Sequence, residues 1–309
     1  MYTDRKPPQL GRWSPGLKLS RRLTAYGFLA PAAILVCLII AYPLVVAATI
    51  SFHDIRIFQS LSNLADSANL ENYRRLFAND AFWRALRTSL IYVVVTNAVA
   101  LFIGLSTALL LNQRFPGRNV ARMLVMLPWP VPGVVAALAF TWMFNTSFGV
   151  INYLLLELNL VNAPVAWFTS TIPAFIAVIA ATAWQGYPFF TIMLLAALQA
   201  IPGELYEAAS VDGANSRQSF WRITLPALRP VIGISVLISS LWVLRNFDII
   251  YVMTGGGPSR RTETLAVQIY VESFEYLKMG YASSIGMVTL VIALALAFVY
   301  LRYIGKDFY

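Results

Sequence analysis

Arg245, Asn246 and Asp248 fall within four consecutive positions of an otherwise apolar stretch, and Gln185 and Gly186 interrupt another. Such groups are costly inside hydrocarbon, so they ordinarily face a cavity or one another. Two readings of their chemistry follow. In the first, the Arg245 guanidinium and the amides hold a polar ligand, while the rings of Trp184, Tyr187, Phe189, Phe190 and Trp242 stack on its apolar face. In the second, Asp248 stands one helical turn from Arg245 and neutralises it within the protein, which the spacing favours, and the rings are interfacial anchors or helix packing. Asn97 is a third polar residue of this kind.

Other chemistry has too few residues to support it. One Cys (Cys37) and one His (His53) allow neither a disulfide nor a His/Cys metal site within the chain. Asp248 is the sole acid inside an apolar stretch, so acid–base pairs and carboxylate metal sites find no second partner there. The one Gly-Lys pair, Gly305-Lys306, is followed by Asp307, so the chain carries no G-x-x-x-x-G-K-[ST] phosphate loop.

The elements that position these residues belong to a membrane protein. Of 309 residues, 59% are hydrophobic and 12% charged, with mean hydropathy +0.67; soluble domains carry roughly 25% charged residues. A spanning helix needs about 20 mostly apolar residues. Six stretches qualify: Tyr26 to Phe52, Leu86 to Leu111, Met123 to Phe144, Ile172 to Ala200, Val231 to Met253, and Tyr281 to Tyr303. The first is longer than the h-region of a secretion signal and reads as a retained helix. The third is the least regular, because Pro128, Pro130 and Pro132 must break or kink its start.

With the amino terminus placed inside, the inner segments hold 14 Lys and Arg against 5 acids, and the outer segments 8 against 8. The net charge of +9 therefore falls wholly on the cytoplasmic side, as the positive-inside bias expects, and calls for no nucleic-acid partner. Residues 1–24 form a basic cytoplasmic segment, in which Arg12 to Leu23 suits either a helix lying on the inner leaflet or a basic tail. Residues 25–309 form the transmembrane domain. Asn69 to Phe82 reads as a short amphipathic surface helix outside the membrane.

The inner loop from Ile201 to Pro230 reads as helix, turn, helix. Pro202, Gly203 and Glu204 start the first helix, whose Leu205, Ala208, Ala209 and Val211 give a face of little bulk beside Glu207. Asp212-Gly213 stops it, Ser216 can cap the second helix, and Pro226 and Pro230 redirect the chain into the next span. Another surface can approach such a face closely, with Glu207 offered to an Arg upon it; the alternative is a loop that is merely helical.

Glu207-Ala208-Ala209, then Gly213, then Ile223, Leu225 and Pro226, resembles the EAA loop of ABC importer permeases. Trp184-Gln185-Gly186-Tyr187-Pro188-Phe189, and the run from Phe247 to the turn Gly255-Gly256-Gly257-Pro258, resemble the maltose-type carbohydrate importers, in the class of permease that pairs with an unlike partner. The likeness covers nearly the whole chain from about Leu23, without the extra amino-terminal helices and large external insertion of the maltose permease. It implies an all-α membrane protein with six transmembrane helices in the type I importer permease (MetI-like) fold, the first helix wrapping a sister subunit. It further implies half of a sugar-translocating pore in a bacterial inner membrane, both termini cytoplasmic. Partners implied are a second permease, two copies of a cytoplasmic ATPase and an extracytoplasmic solute-binding protein. No cofactor belongs to this chain, since ATP and Mg are held by the ATPase.

By the same resemblance, Glu207, Ala208, Ala209, Asp212, Gly213, Leu225 and Pro226 couple to the ATPase. Gln185, Gly186, Tyr187, Phe189, Trp242, Arg245, Asn246 and Asp248 lie on the substrate path. Such a protein does no covalent chemistry; its work is the differential stability of two states, set by what is bound on each side. An ion-coupled secondary transporter using Arg245 and Asp248 as a relay is the competing reading. It predicts inverted repeats that the sequence lacks and leaves the Glu207 to Pro226 loop unexplained.

Overall fold

Lipid cannot hydrogen-bond the backbone, so apolar stretches of this length must close their own bonds as helices. The computed structural model describes residues 27–56 and 68–304, and every regular element among them is helical. The segment from Arg12 to Leu23 lies outside the described residues. The chain divides into two units, Met1–Ile50 and Ser51–Tyr309. Helix α1 (Gly27–Ser51) accounts for the described part of the first, passes through a π-helical stretch at Cys37–Ala41, and is exposed along residues 27–45.

The second unit starts outside the apolar layer with α2 (Glu71–Ala78), the expected amphipathic surface helix, which buries Asn72 and Leu76 and exposes Arg74 and Arg75. Asn79 caps α3 (Asp80–Asn112) by accepting a hydrogen bond from the Ala81 N–H at 2.9 Å. There follow α4 (Arg118–Met126), α5 (Gly133–Met143), α6 (Val150–Glu157), α7 (Thr171–Ala200), α8 (Gly203–Val211), α9 (Ser216–Leu244), α10 (Asp248–Thr254), α11 (Leu265–Tyr270) and α12 (Met279–Ile304).

Among the described residues five helices, α1, α3, α7, α9 and most of α12, are long and apolar enough to cross a membrane. The expected span from Met123 to Phe144 is not one helix. Its three prolines divide it into α4, a run of turns, and the 11-residue α5, whose length of about 16 Å is near half the hydrocarbon thickness. The expected span from Val231 to Met253 also divides, at Arg245 to Phe247, into α9 and α10.

The core is built on α3 and α7, which run parallel. Tyr92 and Thr182 share a hydroxyl–hydroxyl bond of 2.6 Å at one level, and Gly104 meets Phe190 at another. A Cβ on Gly104 would lie 2.5 Å from the Phe190 Cβ and 3.0 Å from the Tyr187 carbonyl oxygen, so the two backbones approach as they do only where a side chain is missing. Helix α9 joins this pair through Asn97, whose Nδ2 donates to Ser240 Oγ at 3.1 Å.

Beyond α10, the turn Gly255 to Pro258 is closed by Thr262, whose N–H donates to the Gly256 carbonyl and whose hydroxyl donates to the Gly257 carbonyl. The chain then places acids in a largely buried layer of short helices and turns. Arg260 pairs with Glu263 through both guanidinium branches, and the buried Glu272 faces Lys278 at 3.9 Å.

Gly104→Leu should weaken the α3–α7 contact by about 1–3 kcal/mol, read as a lower melting temperature of the purified protein. A second outcome concerns Glu272, where burial holds the carboxyl above its ordinary range, opposed by Lys278 and Arg260 and assisted by Glu263. Because its folded pKa is raised, its contribution to stability is fully present below the ordinary glutamate value and is lost as pH rises through the folded value. Glu272→Gln should therefore flatten the fall in melting temperature between acidic and neutral pH.

Candidate functional site

Two interrupted helices meet α7. In the turns from Leu127 to Pro132 the backbone leaves its helical bonding, and Gln185 of α7 reaches across to donate from Nε2 to the Val131 carbonyl at 2.6 Å. At the second break, α9 closes with tight i to i+3 bonds, the Arg245 N–H to Trp242 and the Asn246 N–H to Val243, before α10 restarts at Asp248. Non-helical backbone at this depth is tolerated only where protein buries it or where it lines a cavity. Both apply here.

A cavity of about 180 Å³ lies between the two helices, lined by Thr182, Gln185, Gly186 and Phe189 of α7, by Ser239, Trp242, Val243 and Asn246 from α9 and its end, and by Trp129. On each helix the spacing is i, i+3, i+4, i+7, one continuous face. A Cβ on Gly186 would meet nothing within 4 Å. Phe189 and Trp242 pack edge to face with centroids 4.9 Å apart, so these rings brace one another as well as forming a wall. A second cavity of about 310 Å³ shares Gln185, Trp242 and Asn246 and adds Gly133, Arg245, Phe247, Asp248 and Ile249.

Seven of the eight residues expected on the substrate path thus border two adjoining cavities. Tyr187 does not; it is packed beside Phe190 and Leu194 in the core under α3. The rest of the aromatic stock also points elsewhere: Phe190 is fully buried, and Trp184 meets Phe140 at 5.4 Å. Trp129, Thr182 and Ser239 were not anticipated. The latter two were accessible from one-turn spacing to Gln185 and Trp242, whereas Trp129 sits between two prolines and no helical register reaches it.

The expected Arg245–Asp248 pair is absent: among the described residues no ion pair joins them. The one-turn spacing required a continuous helix, and the helix breaks between them. Asp248 instead stands in the first turn of α10 and lies over Gly133, where a Cβ would be 3.3 Å from its Oδ2. Its carboxylate is thereby near the positive amino-terminal ends of both α10 and α5. Arg245, the exposed C-cap of α9, meets no carboxylate among the described residues.

At the other end of α7 and α9, the loop is built as a rigid reversal. Gly213 has φ +77, its N–H donates to the Ser210 carbonyl at 3.1 Å, and the Ala214 N–H donates to the Ala209 carbonyl at 2.9 Å. This pair of bonds is the Schellman closure, which requires a left-handed residue where glycine carries no steric penalty. The next helix is capped by Asn215 rather than Ser216: Asn215 accepts from the Gln218 N–H, and the Gln218 side chain accepts from the Asn215 N–H.

Pro226 and Pro230 do not redirect the chain. Helix α9 runs through them, preceded by a π-helical stretch at Phe220–Thr224 in which the Leu225 N–H reaches the Phe220 carbonyl; Pro226, near the start of the following α-helical run, has no N–H to place. Tyr206 of α8 and Thr224 of α9 share a hydroxyl bond of 2.9 Å. No residue of α8 is buried, and Leu205, Glu207, Ala208, Val211, Asp212 and Gly213 are exposed. Leu225 and Pro226 are half-buried on α9.

Residues 100–306 match the family described as the binding-protein-dependent transport system inner membrane component. The chain belongs to this family. It is 38% identical over 296 residues to the sulfoquinovosyl glycerol transport system permease protein SmoG of Agrobacterium fabrum, covering 96% of this chain and 95% of that protein. Over 236 residues it is 39% identical to the trehalose/maltose transport system permease protein MalF of Thermococcus litoralis, covering 75% and 78%. The fold matches a bacterial ABC transporter involved in the import of the acidic polysaccharide alginate, with TM-score 0.80 and 22% identity over 94% of this chain and 98% of that one. As in its family, the chain is a multi-pass inner-membrane component without catalytic chemistry of its own, working in binding-protein-dependent transport.

Gly213→Ala should strain the left-handed position by about 1 kcal/mol. Hydrogen exchange should then accelerate in α8 while α3 and α7 remain protected; unchanged exchange in α8 would show that the turn is not what holds it.

Proposed function

We propose that the protein is one permease of an ATP-driven importer for a sugar or sugar derivative, with residues 25–309 as its permease domain. The observation that carries this reading is the coincidence, in one chain, of an exposed small-residue helix at one end of α9 and a cavity walled by aromatic rings and amides at the other. The sugar-transport permeases among its relatives support the substrate class.

The two ends are joined by one element. Helix α9 runs from the capped turn at Ser216 to Leu244 without a gap, a rod of about 43 Å. In this reading α8, with Glu207, Ala208 and Ala209 foremost, docks on a cytoplasmic ATPase that holds ATP and Mg, and both termini of the permease lie on that side. Two such ATPases closing together carry α8 and its counterpart in an unlike sister permease toward each other. The rods then tilt, and the faces bearing Trp242, Arg245 and Asn246 turn between outward and inward access. An extracytoplasmic binding protein delivers the sugar. Trp129, Phe189 and Trp242 offer apolar faces for a sugar ring, and Gln185 and Asn246 offer hydrogen bonds.

Arg245 has no carboxylate partner among the described residues and can receive a hydroxyl or an anionic group of the solute, while Asp248 borders the same cavity as a separate negative point. The sulfonated and acidic solutes named for two of the similar proteins fit the same logic.

The test is reconstitution of the whole transporter, with sister permease, ATPase and binding protein, in liposomes. Trp242→Ala and Arg245→Ala should cut sugar uptake by an order of magnitude or more, while ATP hydrolysis stimulated by the loaded binding protein persists. Glu207→Ala should lower that stimulation and uptake together. Full uptake in all three variants would remove both the path and the coupling surface.

A further inference from the structure

The short helix α4, which leads into the broken span, borders neither cavity, yet it is among the most sharply two-sided elements of the chain. Val120, Met123 and Leu124, with Leu127 just beyond, are each more than half exposed. Arg118 and Arg122, one turn apart, are half-buried on another face. The two guanidinium groups converge on Gln199, at the end of α7. With the amide oxygen turned toward them, Gln199 Oε1 accepts from Arg122 Nη2 at 2.8 Å and from Arg118 Nη2 at 3.2 Å.

Arg118 also donates from Nε to the Leu111 carbonyl at 2.6 Å, satisfying an open carbonyl at the end of α3. That bond gives Arg118 a structural role. Arg122 has no such role: its Nε is buried without an acceptor. Among the described residues neither arginine meets a carboxylate. Two adjacent positive charges thus share one neutral amide oxygen, and like charges in a partly desolvated place call for a counter-anion.

We propose that Arg118 and Arg122, gathered by Gln199, bind the phosphate headgroup of an anionic glycerophospholipid in the leaflet at the α8 end of the molecule. The ligand class follows from what surrounds the charges. A phosphate supplies oxygens that guanidinium forks recognise. The exposed Val120, Met123, Leu124 and Leu127 give acyl chains an apolar surface alongside, which a soluble phosphate would not use. Gln199 stands three residues before Pro202, the N-cap of α8, so a bound headgroup braces the base of the exposed loop. Only this last consequence rests on the proposed coupling role; the binding itself does not.

The experiment measures retained lipid. The full transporter is placed in nanodiscs of phosphatidylcholine with a minor share of phosphatidylglycerol, extracted, and analysed by native mass spectrometry. The wild-type protein should retain phosphatidylglycerol in excess of its share. Arg122→Gln should lower that excess about fivefold, as expected for one arginine at a charged surface, and Arg122→Lys should keep most of it.

Gln199→Glu guards against misfolding as the cause of any loss. It places a carboxylate between the guanidinium groups, so the assembly should be at least as stable while the lipid preference disappears. Arg84→Gln, at the opposite end of α3, should change nothing. Equal retention in wild type, Arg122→Gln and Gln199→Glu would overturn the site. So would displacement of the lipid by inorganic phosphate at concentrations that phosphate alone needs to bind. Absence of sugar uptake by the wild-type transporter, with lipid retention intact, would count against the transport reading and leave this site standing.

Discussion

A single bond between a side-chain amide and a backbone carbonyl makes the rest of the arrangement possible. Gln185 Nε2 holds the Val131 carbonyl at 2.6 Å, at the point where three prolines have stripped the chain of helical bonding. Without it, a half-buried carbonyl at the break would lose its side-chain partner. With it, a bent segment can stand beside α7, and Trp129 can face Phe189 and Trp242 across open space. The cavity exists because the third span is not a helix there, and the span can afford not to be one because α7 supplies a donor.

The same economy governs the second interruption. Ending α9 at Leu244 and restarting at Asp248 frees carbonyls at one end and N–H groups at the other. Tight i to i+3 bonds close the first end, and the Asp248 carboxylate stands at the second, where it also overlies the start of α5. Both breaks are therefore compensated by polar groups that a continuous helix would never have needed. This gives Gln185 and Asp248, which border one space, a structural reason to be polar there. A residue that lines a cavity and also satisfies broken backbone is constrained twice.

Most of the fold could be read from hydropathy and its period. The stretches from Leu86 to Leu111 and from Ile172 to Ala200 lie within α3 and α7, because length and apolarity are all that a spanning helix requires. The misses occur where apolarity and helicity part company. The second helix of the loop, expected to be redirected at Pro226 and Pro230, instead continues through them, so α9 begins fifteen residues before the apolar run at Val231. Arg245 to Phe247 lies within an apolar run yet is not helical, because nothing in hydropathy registers a carbonyl closed three residues back. The loop motif fixed the turn at Gly213, but the cap fell one residue earlier than expected, at Asn215, where Gln218 completes the reciprocal bonding that Ser216 could not.

The Arg245–Asp248 expectation failed for a reason that bears on transport. Spacing in sequence measures proximity only along an unbroken helix, and these residues sit on opposite sides of a break. Once Asp248 faces two helix amino termini, its charge is already partly answered by backbone dipoles, and it has little to gain from an arginine. Arg245 is left at the end of α9, at the border of the larger of the two cavities, with no ion pair among the described residues. In the proposed transport cycle, a tilt of α9 would shift Arg245 relative to Asp248 and change the field inside the cavity, a dependence that a fixed ion pair on one unbroken helix would have prevented.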